Sequence, residues 1–468
     1  MKALKIFLSL TIILSLIFAQ TFQAGKNGVV VSASKIASDI GIQIMRDGGN
    51  SIDAAVAVSF ALAVVWPEAG NIGGGGFMVI RFPDGSATTI DYREKAPQKA
   101  TEDMYLDSNG NPIPGLSTEG PMSAGVPGTV AGMALAWEKY GFLPWNKLLQ
   151  PAIALAENGF PVTYHIHTGL KSHYDEMNQY PSTRGMFFHY KNVPEVGETI
   201  QFPDLAETLK RIAEEGADEF YRGLTALKIA RSMTSNGGII TYEDLKSYRA
   251  IERQPLVFTY RGHEVISMGP PSSGGICMGQ ILKIVENFPM GHYGYFSKDA
   301  IQKLVEAERF AYANRSKYLG DPSFVNNHVN YLLSDRLNDS LATEIKYNTA
   351  GTSPTVNPVY IDESEQTTHF SIIDKNGLAV ANTTTLNSSY GSAFVVEGTG
   401  ILLNNEMDDF SIKPGIPNQY GLLGSHANSI QPGKKMLSSM TPTIVTKNDS
   451  LKYILGTPGG STIITTIT

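Results

Sequence analysis

The chain has 468 residues, 42% hydrophobic and 17% charged, enough to bury a sizeable core in two or three domains or one large one. This excludes a disordered chain or a coiled coil. Lys and Arg number 37 against 44 Asp and Glu, a net charge of −7 without long basic runs, which argues against a nucleic-acid partner and leaves small acidic or zwitterionic substrates open.

Residues 1–24 have the character of a targeting segment. Lys2 and Lys5 form a basic start, and Ile6 to Ala19 form an apolar stretch short of the ~20 residues that span a bilayer. A cleaved export signal is expected, with cleavage after Ala19 or Ala24, and hence a periplasmic or extracellular protein without a stable membrane anchor. An uncleaved N-terminal anchor is the alternative. Cys277 is the only cysteine, which rules out an intrachain disulfide framework and a cysteine metal cluster.

Val29–Val31 reads as a strand, followed by a helix over 35–46 that Gly48-Gly49 stops. Ser51 is a candidate N-cap for an Ala/Val-rich helix with small side chains on all faces, a pattern of close packing inside a large core. Gly73 to Gly76 then lead into strand Phe77–Ile80, a Pro83-Asp84-Gly85 turn and a second strand near Thr88–Tyr92. A glycine run between strands does not open a helix, so phosphate cradling is discounted. The middle of the chain, about 123–341, shows mostly helical periodicity, for example Val130–Tyr140, Leu205–Glu215 and Lys298–Lys317. Residues 347–366 turn polar and end in Asp362-Glu363-Ser364-Glu365-Gln366, the composition of an exposed linker. Thr367–Asp374 alternates as a strand, and Lys375-Asn376-Gly377 turns the chain into its partner, Leu378–Leu386.

No G-x-S-x-G elbow occurs, which argues against an ordinary α/β-hydrolase. His165 and His167 would share a face if the segment were a strand, with His173 nearby, but no third metal ligand stands at a recognised spacing. His369 lies two residues from Thr367, ~6.6 Å along a strand, too far for a direct hydrogen bond. It reads better as a half-buried strand histidine. Thr367 alone is only a β-branched residue in a strand.

Its context is more specific. Thr367-Thr368-His369-Phe370-Ser371, Asn404 to Ser411, Leu437 to Thr443 and Thr457-Pro458-Gly459-Gly460-Ser461 resemble the motifs of the gamma-glutamyltranspeptidase family. Gly48 to Ala55, Gly73 to Phe77, Asp91 to Pro97 and Pro270 to Gly275 match the same family in the same order, and the resemblance runs from about Gly28 to the last residue.

The resemblance implies an α+β protein with the four-layer αββα sandwich of N-terminal-nucleophile hydrolases, made as one chain that cuts itself between Gln366 and Thr367. The products would be a large subunit, 25–366, and a small one, 367–468. It implies Thr367 as the nucleophile, Thr385 as the residue that orients it, and the N–H groups of Gly459 and Gly460, at a helix start, as the oxyanion site. Arg93 would clamp the substrate α-carboxylate, helped by Ser438 and Ser439, while Asp409, Glu406 and Asn387 would hold the α-ammonium. Read from the residues alone, Arg93 next to Glu94 is a surface ion pair of little worth. Pro414 to Gly424, with Tyr420, resembles a lid. No metal or organic cofactor is implied.

The expected activity is gamma-glutamyl transfer and hydrolysis, with glutathione or a related compound as donor and water, an amino acid or a dipeptide as acceptor. A glutaryl-type β-lactam acylase of the same fold, or an inactive unprocessed fragment, are the alternatives. Family members continue past Thr468, so the small subunit is expected to be incomplete, with Ile463, Ile464 and Ile467 lacking downstream partners and self-processing impaired.

Overall fold

The computed structural model describes residues 24–189, 192–353 and 367–468. The targeting segment up to residue 23, the acidic end of the linker and Gln366 lie outside the described residues.

The Ala/Val-rich segment forms helix α2 (Ser51–Val65), buried at every position, which packs against α1 (Lys35–Arg46). Its cap is Asn50 rather than Ser51. Asn50 Oδ1 accepts from the N–H groups of Ile52 and Asp53 at 2.8 and 3.0 Å, and the Asp53 carboxylate accepts from Asn50 N–H at 2.9 Å. This capping box requires the cap one residue before the first helical turn. Ser51 is already helical, and its hydroxyl donates instead to Leu378 O at 2.7 Å.

Two antiparallel sheets stack face to face. The first contains β1 (Gly28–Val31), β2 (Gly75–Arg81), β3 (Ala87–Asp91), β4 (Ile251–Arg253), β7 (Thr367–Asp374) and β8 (Ala379–Thr385), in the order β1-β7-β8-β2-β3-β4. The second contains β5 (Leu256–Tyr260), β6 (His263–Ser267), β9 (Thr443–Lys447) and β10 (Ser450–Leu455), in the order β10-β9-β6-β5. Side chains alternate across each strand. Phe77, Val79, Ala379 and Ala381 therefore meet Ile266, Met268, Met440 and Ile444 between the sheets. Met78, Ile80, Phe370, Ile372 and Val380 face the other way, into the core that contains α2 and the helices Thr129–Tyr140, Trp145–Asn158 and Pro203–Glu215. Helices α3 (Gly274–Glu286) and α4 (Lys298–Tyr318) cover the second sheet. Helix, sheet, sheet, helix is the expected αββα sandwich.

Helical periodicity does not describe 251–267, where three strands run. Leu256 to Ser267 is rich in β-branched and aromatic residues, and Arg261-Gly262, both at positive φ, supplies a tight hairpin turn. The three apolar residues at the end of the chain find partners upstream. Helix α5 (Ile463–Ile467) places Ile464 in the core under α3 and α4, Ile463 between the sheets, and Ile467 against Phe258 and Met278. Among the described residues no helix is long and apolar enough to cross a membrane.

Candidate active site

Hairpin β7–β8 sets the geometry. Its register puts Thr385 directly opposite Thr367, with the two hydroxyl oxygens 3.5 Å apart and Thr367 donating. Both side chains are buried. Asn71, two residues before the glycine run, holds the end of β8. Its Nδ2 donates to Thr385 O at 2.8 Å, while its Oδ1 accepts from Gly74 N–H at 2.9 Å and from the Thr129 hydroxyl at 2.7 Å. The four glycines lie where other chain segments leave no room for a Cβ: one on Gly74 would stand 2.1 Å from the Thr385 carbonyl oxygen. Their role is close packing, in line with strand–turn–strand.

One cavity brings together Thr367, Thr385, Arg93, Asn387, Glu406, Asp409, Ser438, Ser439 and Gly460, walled by Tyr420, Leu422, Met440 and Ile463. These residues come from seven separate stretches of sequence. Gly459 does not line it. Gly459 and Gly460 have φ of 127° and 51° and lead into one 3-10 turn, Gly460–Thr462, before α5, so the expected helix start is a tight turn. Their N–H groups donate to no described residue. Asn387 sits at φ 75°, a left-handed conformation that Asn tolerates. Its N–H donates to the Thr385 hydroxyl at 2.8 Å and its Nδ2 to Asn405 O at 3.1 Å.

Arg93 is not a surface ion pair. It is 1% exposed, its Nη1 is 2.5 Å from a Glu406 oxygen and 3.5 Å from Glu94, and its Nη2 pairs closely with Asp409. Burial alone would lower its pKa, but the carboxylates of Glu406, Asp409 and Glu94 hold it above the ordinary arginine value. Burial pushes Glu94 up to about 7 against the pull of Arg93, and raises Glu406 well above the usual carboxylate range. Three acids surround one guanidinium, more acceptor atoms than it has donors facing them. Glu406 Oε1 finds no hydrogen-bond partner among the described residues. Such a corner suits a cation. Glu94, the sequence neighbour of Arg93, is part of this cluster, fully buried and 3.5 Å from the guanidinium.

Ser438 follows the Pro270-to-Gly275 loop closely. Its N–H donates to Pro271 O at 2.9 Å, and its carbonyl accepts from Ser273 N–H and hydroxyl at 2.8 and 2.6 Å. The segment with Tyr420 closes the pocket from the other side. The Tyr420 hydroxyl donates to Asn387 O at 2.7 Å, Asn418 Nδ2 to Asp409 Oδ1 at 3.3 Å, and Gln419 N–H to Asp408 at 3.0 Å. The free space in this pocket is about 20 Å³, room for one water.

The histidines have other partners. His165 and His167 lie on helix Tyr164–Ser172, not on a strand face. His165 stacks on Trp66 at 4.1 Å and pairs with Glu68 at 2.5 Å, and His167 Nδ1 is 2.8 Å from Pro194 O. His369 is partly buried between Thr383 and Ser371 hydroxyls, at 2.8 and 3.0 Å, and desolvation pushes its pKa down to about 3. Among the described residues no group of three acidic, His or Cys side chains could hold a metal.

A four-layer αββα sandwich with a buried threonine at the start of a central strand defines an N-terminal-nucleophile hydrolase fold. The family model described as Gamma-glutamyltranspeptidase matches residues 37–468. The glutathione hydrolase proenzyme of Escherichia coli is 49% identical over 445 residues, 94% of this chain and 77% of that protein. That of Pseudomonas sp. is 48% identical over 442 residues, again 94% and 77%. Among solved structures, the gamma-glutamyltranspeptidase of Helicobacter pylori aligns at TM-score 0.69 and 44% identity over 70% of this chain and 95% of that one. The cephalosporin acylase of Bacillus halodurans aligns at TM-score 0.81 and 29% identity over 95% and 80%. The chain belongs to the gamma-glutamyltranspeptidase family.

Proposed function

We propose that this protein is a self-processing gamma-glutamyl transferase and hydrolase that acts on glutathione and related compounds, with Thr367 as its nucleophile. The observation that carries the reading is that the Thr367 hydroxyl opens into the same buried cavity as an arginine, two acids and a serine pair. Relatives named glutathione hydrolase, up to 49% identical, support the substrate class.

In the precursor the Thr367 hydroxyl attacks the Gln366 carbonyl, the peptide C–N bond breaks to free the amine and leave an ester on the hydroxyl oxygen, and water hydrolyses that ester, separating 25–366 from 367–468. The new terminal amine then has a pKa of ~7.7–8, close to that required of a general base near neutral pH. It takes the proton of its own hydroxyl, which attacks the γ-amide carbonyl of the donor. Thr385 orients that hydroxyl, and the N–H groups of Gly459 and Gly460 receive the oxyanion. Arg93, Ser438 and Ser439 bind the α-carboxylate, and Asp409, Glu406 and Asn387 bind the α-ammonium. The amine product leaves, and water, an amino acid or a dipeptide resolves the γ-glutamyl-threonine. The basic and apolar N-terminus supports export before this chemistry.

The test is a gel of the purified chain combined with release of 4-nitroaniline from L-γ-glutamyl-4-nitroanilide. Two bands, the smaller beginning at Thr367, with release of the dye, are expected. A single band without release would sink the reading in favour of an inactive fragment.

The likeness to a cephalosporin acylase favours a second reading, a glutaryl-type acylase. A glutaryl chain lacks the α-amine, so Glu406 and Asp409 would meet no cation there and should reject it. A higher kcat/KM for a glutaryl than for a γ-glutamyl anilide would favour the acylase.

A further inference from the structure

Arg315 stands in the last turn of α4 and is 5% exposed. Its Nε donates to the Ser273 hydroxyl at 2.9 Å and its Nη2 to the Ser439 hydroxyl at 3.2 Å, both neutral groups. It forms no ion pair among the described residues. Among the other buried cations, Arg93 meets Glu406 and Asp409 and Lys435 meets Asp91 at 2.7 Å, while Arg81, Lys303 and Lys434 form no ion pair among the described residues either. A buried guanidinium that touches only hydroxyls keeps its charge unneutralised, which is costly unless an anion completes the arrangement.

The anion's place follows from Ser439. That hydroxyl accepts from Arg315, donates to no described residue, and lines the cavity that contains Thr367. Arg315 also reaches the other serine. Its hydrogen bond to Ser273 fixes the hydroxyl that donates to Ser438 O at 2.6 Å. Arg93, by contrast, shares its guanidinium with Glu94, Glu406 and Asp409.

We propose that Arg315 is a positioning residue that selects donors bearing an α-carboxylate, acting through Ser439. A hydroxyl that accepts from a guanidinium is polarised and turns its own proton outward, as a stronger donor to an anion. The unpaired charge behind it favours that anion over a neutral group of the same shape. This inference rests on the gamma-glutamyl reading.

The experiment compares two donors that differ only in the α-carboxylate, L-γ-glutamyl-4-nitroanilide and 4-aminobutanoyl-4-nitroanilide, in the wild-type enzyme and in Arg315→Met. With a charge-assisted contact weakened, kcat/KM for the glutamyl donor should fall by about tenfold or more, chiefly through KM. The aminobutanoyl donor should change less than about twofold, since it makes no charge-assisted contact there. Arg315→Lys, which keeps the charge, should recover part of the preference. If Arg315→Met does not fold or self-process, the donor ratio of Arg315→Lys decides, and a ratio equal to wild type overturns the proposal. Equal losses on both donors, or no loss on the glutamyl donor, would also overturn it. A wild-type chain that stays uncleaved and turns over neither donor would overturn the gamma-glutamyl reading as well, so the two failures are told apart.

Discussion

Thr367 and Thr385 are cross-strand partners at the open end of one hairpin, with their hydroxyl oxygens 3.5 Å apart. The pairing register thus fixes the direction of the candidate nucleophile. A slip of one residue would turn Thr367 to the opposite face of the sheet.

Replacing Thr367 by Ala should leave a single chain with no activity, because attacking hydroxyl and later base belong to the same residue. Edman or mass analysis that finds two fragments, with the mature terminus elsewhere, would remove Thr367 from the mechanism. Thr367→Ser should process and turn over more slowly, since serine keeps the hydroxyl but loses the β-branch that restricts χ1.

Arg93→Lys should weaken glutamyl donors markedly although the charge is kept, because an ammonium cannot engage Glu406 and Asp409 together while presenting a planar fork to a carboxylate. Loss of one charge-assisted contact is worth ~1.5–3 kcal/mol, or roughly 10–150-fold in kcat/KM. Steady-state kinetics that match wild type would take Arg93 out of the site.

Gly74→Ala should damage processing without touching any reactive group. The added Cβ would stand 2.1 Å from the Thr385 carbonyl oxygen, so the end of β8 must shift. Overpacking of this kind costs ~1–3 kcal/mol. A lowered Tm together with slower appearance of the small subunit is the expected pair of observations; wild-type values for both would show that the site tolerates the shift.

Glu94 predicts a direction for stability with pH. Burial raises its pKa from 4.5 to about 7. Between these values the folded chain retains a proton that the unfolded chain has released, so this group's contribution to stability falls as pH rises through that window. In the single-chain Thr367→Ala background, Glu94→Gln should remove that part of the slope. Thermal melts at pH 5 and pH 7 that change by the same amount with and without Glu94 would contradict it.

The sequence by itself determined a good deal. The hairpin 367–385 follows from period-2 alternation around an Asn-Gly turn, and α1 and α2 follow from apolar spacing and small side chains, because these are local rules. The ordered motifs located Thr367, Thr385, Arg93, Asn387, Glu406, Asp409, Ser438, Ser439 and Gly460, and the fold gathers all nine around one cavity. The tertiary structure decided what local rules do not encode. The strands at 251–267 exist because they pair with β9 and β3, partners distant in sequence. The cap of α2 passed from Ser51 to Asn50 because both members of the box had to close at once. Arg93 changed from a surface charge into a buried one surrounded by acids, and Asn71 and Arg315 gained their contacts, because burial and charge depend on segments up to several hundred residues away that only chain packing brings together.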